Sequence, residues 1–413
     1  MLIRLVNISP TAKGGAVHHR IVIVGGGTAG ISVAARLRRA GEEDVALVEP
    51  ASEHYYQPLW TLVGGGVSDI ARSRRKESAV VPKGVRWVQD AAVELDPEKR
   101  VVATTSGARI GYDVLILCPG LELAWELVPG LSEAMATPFA ASNYAAELAP
   151  KNAELVRRFR GGEAVFAAPG SPIKCPGAPQ KATYLACDYW QRTGRLANMQ
   201  VTYATGAGGI FGVPEFARVL ERVVERYGIQ TRFANELVEV DPDSREATFE
   251  IVGPDGKTRE TLGYDLLHVA PPQRAPTFVR DSELSGQNPF GWVPVDRHRL
   301  VHARYPEVYS LGDVCDAPTS KTGAAIRRQA PVVVVNVLAT LSGQEPTARY
   351  DGYAACPFTT ARGKMVLAEF DYSLAPHPTF PFIDTQRERY DMWLLKRYGL
   401  PAYYWNIMLR GLG

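Results

Sequence analysis

Residues 21–30 read I-V-I-V-G-G-G-T-A-G, and this run decides the fold. An apolar strand, Ile21–Val24, enters Gly25-x-Gly27-x-x-Gly30. A helix-like stretch follows to Arg39, and a second strand, Val45–Val48, ends at Glu49. Each glycine has a physical task at that spacing: a tight turn, close approach of backbone N–H groups to a pyrophosphate, and close helix–strand packing. The helix N-terminus then faces the negative charge. Glu49 stands where a carboxylate accepts hydrogen bonds from a ribose 2′-hydroxyl. Glycine spacing alone is weak evidence. Strand, helix, second strand and terminal glutamate in order make Gly25, Gly27, Thr28, Gly30 and Glu49 a candidate dinucleotide site.

The chain then repeats itself. G-Y-D-V-L-I-L-C-P at 111–119 recurs as G-Y-D-L-L-H-V-A-P at 263–271, and V-E-L-D-P at 93–97 recurs as V-E-V-D-P at 238–242. Such repetition implies two related nucleotide-binding domains. The counterpart of the first glycine turn should start near residue 165, where V-F-A-A-P-G-S-P-I-K-C stands. The strand is present but the glycine pattern is gone, and Pro169 and Pro172 have no N–H to offer a phosphate. The second domain is expected to keep the fold without the nucleotide, with Cys175 at the mouth of the turn. A further buried strand, V-Y-S-L-G-D-V (308–314), ends in Gly312-Asp313, a pair that two-domain flavoproteins set against the ribityl–pyrophosphate part of FAD. After it, P-T-S-K-T (318–322) leads into a helical run, so Lys321 and Thr322 are placed at the flavin pyrimidine end, where a cation stabilises negative charge. Gln57 and Val93 complete the expected cofactor set.

At 413 residues the chain exceeds one core and should hold two or three domains. A net charge of +2 argues against nucleic acid as the main partner. The five cysteines form neither a C-x-x-C motif nor metal-ligand spacing, so no metal is expected. Residues 1–20 are basic and read as a frayed extension or a short transit sequence. The apolar run from Ala330 to about Gly343 is too short to span a bilayer, and no transmembrane helix is expected. The expected fold class is α/β: two Rossmann-like dinucleotide-binding domains plus a C-terminal membrane-associating segment. The boundaries are an extension at 1–16, an FAD-binding domain at 17–130 and 290–345, a second Rossmann-like domain at 131–289, and a C-terminal region at 346–413.

The runs H-Y-Y-Q-P-L-W-T-L-V-G-G-G (54–66), I-K-C-P-G-A-P-Q-K (173–181), P-T-S-K-T-G-A-A (318–325) and Y-D-G-Y-A-A-C-P (350–357) resemble sulfide:quinone oxidoreductases, the mitochondrial-like type most closely. The resemblance extends from about His18 to the C-terminus. It implies a redox-active cysteine pair at Cys175 and Cys356, on the flavin face opposite the quinone. Lys174 beside Cys175, and a helix beginning near Ala178, would favour the thiolate. Hydrosulfide would open the disulfide, leaving a persulfide on Cys356 and a thiolate on Cys175 that passes two electrons to FAD. The sulfane sulfur would then leave to a small thiophilic acceptor or grow as a polysulfide. The partners implied are hydrogen sulfide, a membrane quinone and a small sulfur acceptor, with homo-oligomerisation left open. Phe358 and Phe380 are the expected quinone approach. Relatives of another type carry a third cysteine, but 140–146 (A-A-S-N-Y-A-A) has none. The rival readings are a flavocytochrome-type sulfide dehydrogenase, an NADH:quinone reductase, and a non-enzymatic flavin-bearing protein.

Residues 390–413 hold six aromatics, where the chain-wide 9% gives about two. Trp393, Tyr398, Tyr403, Tyr404 and Trp405, interleaved with Lys396, Arg397 and Arg410, suit a segment lying in a bilayer interface. The expected location is peripheral, on a bacterial plasma membrane or the mitochondrial inner membrane.

Overall fold

The computed structural model describes residues 17–253 and 256–413, so the expected extension or transit sequence at residues 1–16 lies outside it. The first sheet forms around β1 (Val17–Val24), which is followed by α1 (Thr28–Arg39), β2 (Val45–Val48) and β3 (Arg109–Leu117). β1 lies parallel between β2 and β3, with Val22 opposite both Ala46 and Leu115. Ile21 to Val24 are all buried. A strand covered on both faces reads as a continuous apolar run, which is why the I-V-I-V segment shows no alternation. The later strand Val308–Ser310 joins the far side of β3, bringing Gly312 to the glycine turn.

The second sheet repeats this plan. β4 (Gly162–Ala168) is followed by α2 (Ala178–Arg192), β5 (Met199–Thr205) and β6 (Leu266–Val269). β4 lies parallel between β5 and β6, so the two G-Y-D runs lead into strands of equivalent position. Cys118 N donates to Val24 O, and Ala270 N donates to Ala167 O, which makes Ala167 the equivalent of Val24. The chain goes from residue 24 to a helix start at 28 in the first domain, but from 167 to 178 in the second. The extra length is the turn that carries Cys175.

α3 (Gly323–Leu341) is long and apolar enough by length and composition to cross a membrane, unlike the shorter run expected from Ala330 to Gly343. Ala330, Val333 and Val337 are buried in the same core as Ile31, Val33 and Ala34 of α1. Buried Asn336 donates to Arg299 O and Ala348 O, and Gln329 Oε1 accepts from Gly312 N. Polar side chains tied to loop backbone in this way mark a core helix.

The antiparallel hairpin of β7 (Ala354–Ala361) and β8 (Lys364–Phe370) sets Cys356 opposite Ala368 and Phe358 opposite Val366. Side chains alternate along a strand, so Cys356 and Phe358 share one face. The chain closes with helices Tyr390–Leu394 and Leu400–Asn406, joined by a π turn at Leu395–Gly399. Here the expectation of outward-facing aromatics needs correction. Trp393, Tyr404 and Trp405 are buried in the first domain's core, and Lys396 is 1% exposed. Four-residue spacing separates the faces: Tyr390, Leu394 and Tyr398 point outward, while Trp393 and Trp405 pack inward.

Candidate functional site

The glycine turn has the three expected features. Gly25 adopts φ +105°, where a side chain would meet Cys118 O, and a Cβ on Gly30 would strike Gly25 O. A Cβ on Gly27 would meet nothing, so its backbone faces open space, as a pyrophosphate requires. Glu49 accepts from Gly26 N at 2.6 Å and from Ala51 N at 2.7 Å, and burial raises its pKa. A Cβ on Gly312 would stand 3.4 Å from Ala29 Cβ, which places Gly312-Asp313 against the start of α1. Burial raises the Asp313 pKa, opposed by Lys321 and Lys174. Lys321 Nζ donates to Asp313 O and Cys315 O and lies 4.1 Å from the centre of the Trp292 ring. Thr322 caps α3, accepting from Ala325 N. Gln57 Oε1 accepts from Lys174 Nζ at 2.8 Å. Val93 is half-exposed on the Ala92–Asp96 strand and touches none of these groups through a hydrogen bond.

Cys175 and Cys356 meet with Sγ atoms 3.9 Å apart, both as free thiols. Cys175 holds φ +47°, a left-handed conformation unusual for a residue with a Cβ. Its N–H donates to Lys321 O at 2.8 Å, and Tyr144 OH donates to its carbonyl at 3.2 Å. These bonds hold the strained turn. Gly177 is required beside it, since a Cβ there would strike Cys356 Sγ.

The cation beside the thiol is not Lys174, as expected, but Lys181. Lys174 turns its ammonium to Gln57 and Tyr144 O, and burial lowers its pKa to about 8. Lys181, in the first turns of α2 and 2% exposed, donates to Cys175 Sγ at 3.0 Å. The contact with Cys356 and the charge of Lys181 hold the Cys175 pKa well below the usual thiol value, against burial. Burial raises that of Cys356. Lys396, expected at the bilayer interface, instead points inward: it donates to Pro58 O at 2.8 Å, and burial followed by repulsion from Lys181 lowers its pKa to about 7. A lysine among aromatics gives no sign of which way it will point.

Phe358 does not line an open quinone approach. It is fully buried in the second domain's core beside Cys356, on the same strand face. Phe380 lies elsewhere, in the loop before the C-terminal helices, paired with exposed Phe382. The C-terminal helix also supports the glycine turn. Tyr404 OH bonds Thr28 Oγ1 at 2.9 Å and His54 Nε2 at 2.5 Å, and His54 pairs with buried Glu77 at 3.2 Å.

The second domain's turn is closed by more than prolines. Gly170, the equivalent of Gly27, donates its N–H at 2.7 Å to Glu236, whose carboxylate also lies against Gly206. A carboxylate thus occupies the donor that a phosphate would need. Thr205 takes the place of Glu49 at the strand end.

A nucleotide cradle in one domain, and a cysteine pair in place of the cradle in the other, define the class. The family model described as pyridine nucleotide-disulphide oxidoreductase matches residues 19–330. Within that class, the chain belongs to the sulfide:quinone oxidoreductase family. It is 40% identical to the mitochondrial sulfide:quinone oxidoreductase of Mus musculus, over 95% of this chain and 87% of that protein. The Dictyostelium discoideum protein of the same name is also 40% identical, over 95% of this chain and 86% of that one. The X-ray structure of the sulfide:quinone oxidoreductase from Aquifex aeolicus shares the fold at 18% identity, with a TM-score of 0.80 over 96% of this chain and 92% of that chain.

Proposed function

We propose that the chain oxidises hydrogen sulfide to sulfane sulfur at Cys175 and Cys356, with FAD as cofactor and a membrane quinone as electron acceptor. The observation that carries this reading is the thiol pair 3.9 Å apart with Lys181 at 3.0 Å from Cys175. The open cradle at Gly27 fits a pyrophosphate. Gly25, Thr28, Gly30, Glu49, Gly312 and Asp313 would hold FAD, with Gln57, Val93, Lys321 and Thr322 as further contacts.

Hydrosulfide attacks Cys356 Sγ of the oxidised pair. A Cys356 persulfide forms, the Cys175–Cys356 bond breaks, and its electron pair leaves on Cys175. The direction follows from acidity: the lower-pKa thiol leaves faster, and Lys181 neutralises the thiolate. A small thiophilic acceptor then takes the sulfane sulfur, leaving Cys356 as a thiol. Reclosing the disulfide releases two electrons and that thiol's proton. Bound at the glycine turn, FAD would supply the two-electron acceptor for this pair, with a quinone as the final acceptor.

The division into 17–130 with 290–345, 131–289 and 346–413 is kept as the domain reading, the last region meeting the bilayer peripherally. The outward face of Tyr390, Leu394 and Tyr398 supports that contact. Anaerobic titration of the purified yellow protein tests the whole reading: sulfide should bleach the flavin and NADH should not. Rapid bleaching by NADH would overturn it.

A further inference from the structure

Beyond the cysteine site, cations gather where α1 ends against the C-terminal segment. A surface pocket of about 240 Å³ is lined by Arg38, Arg39, Lys83 and Arg410, with Val80, Pro82 and Leu409 as apolar walls. None of these cations forms a salt bridge among the described residues. Arg38 donates to Glu42 O through Nη1, yet its Nε is buried without a partner. Arg75, also without a salt bridge among the described residues, lies over the Trp405 ring at 4.5 Å. Three nearby acids are engaged elsewhere: Glu42 with Arg20, Glu53 with Arg74, and Glu77 with His54. With a chain net charge of only +2, this concentration on one face is an asymmetry.

We propose that this pocket binds the phosphate headgroup of an anionic phospholipid, the C-terminal segment lying in the same bilayer. Free phosphate shares the headgroup chemistry. Two features favour a lipid: the apolar walls suit an amphiphile, and Leu409 and Arg410 of the pocket stand in the same C-terminal segment as exposed Ile407 and Leu412. A basic side chain near an anionic bilayer contributes about 1 kcal/mol, roughly fivefold in partitioning. The inference rests on the reading that the chain works at a membrane, and the test separates the two.

Full-length protein is floated with phosphatidylcholine vesicles, alone or mixed with phosphatidylglycerol, at low and high salt. The expected result is stronger flotation with the mixed vesicles, weakened by salt. The triple variant Arg39→Gln, Lys83→Gln, Arg410→Gln should lose on the order of a hundredfold in partitioning to mixed vesicles, three fivefold steps together. A Lys257→Gln control, on the second domain, should change little. Retained flavin colour and sulfide bleaching show that the triple variant is folded, and the single variants provide the same reading in smaller steps. Equal flotation with both vesicle types, or a triple variant that binds like the parent, overturns the pocket while leaving membrane association standing. Flotation with neither overturns both. Protection against thermal unfolding by inorganic phosphate, lost in the triple variant and without any preference for mixed vesicles, assigns the pocket to free phosphate and overturns the lipid.

Discussion

Lys181 Nζ, in the first turns of α2, stands 3.0 Å from Cys175 Sγ, which lies in the turn that replaces the second nucleotide turn. The contact with Cys356 and then this ammonium hold the Cys175 pKa low against burial, so Lys181 helps stabilise the thiolate that leaves. In Lys181→Met the Cys175 pKa should rise toward the usual thiol value. Alkylation of the reduced protein by iodoacetamide near neutral pH should slow by roughly tenfold or more, with recovery at alkaline pH. An unchanged pH profile of alkylation would remove Lys181 from the mechanism.

Cys175→Ser and Cys356→Ser should each abolish sulfide-dependent quinone reduction while flavin stays bound, because neither belongs to the glycine turn. The control must respect packing. Cys187 is fully buried, so Cys187→Ala is preferable to serine, which would bury a hydroxyl. Turnover in Cys187→Ala within a few-fold of the parent is the expected outcome, and turnover in either pair mutant sinks the disulfide route.

Gly27 and Gly30 make separable predictions. Gly27→Ala has room in the fold, so the protein should remain folded by circular dichroism yet purify with little flavin. Gly30→Ala drives a Cβ into Gly25 O and should lower thermal stability as well. Equal stability losses in both would contradict the open cradle.

Truncation after Arg389 is not a clean membrane test, because it removes Trp393, Tyr404 and Trp405 from the core. Each such side chain contributes on the order of 1.5–3 kcal/mol when fully buried. It also strips Tyr404 from Thr28 and His54, so flavin should be lost. The outward ridge is the better target. Leu394→Glu with Tyr398→Glu should release the protein from liposomes while sulfide still bleaches the flavin. Unchanged flotation would place the membrane contact elsewhere.

Lys396 has an inverted pH signature. Its folded pKa, about 7, lies below the ordinary lysine value of 10.5, so the unfolded chain binds more protons and this group's contribution to stability rises with pH between those values. Lys396→Met should therefore gain stability over the parent as pH falls from 10.5 to about 7, levelling off below. At about 1.4 kcal/mol per pH unit, the upper bound is on the order of 5 kcal/mol. A flat difference in thermal midpoint across that range would mean that the lysine is solvated.

Much was already present along the chain. The glycine turn, the G-Y-D repeat and the loss of the second turn are local patterns: a strand–turn–helix has a fixed geometry, and its residue requirements are written within a few positions. The cysteine pair came from resemblance of short motifs rather than from spacing. What sequence alone could not decide is direction. Lys174 adjoins Cys175 in the chain but points to Gln57, while Lys181 reaches the sulfur because α2 turns it back. Phe358 follows strand alternation onto the cysteine face, a rule readable only once the β7 strand is known. The aromatics of the C-terminus, by composition alone, could face lipid or core. Burial against Tyr56 and His54, residues more than 300 positions away, decides for Tyr404 and Trp405. Composition and local spacing determine which elements form. Which face of an element becomes interior depends on what packs against it, and only the tertiary structure supplies that partner.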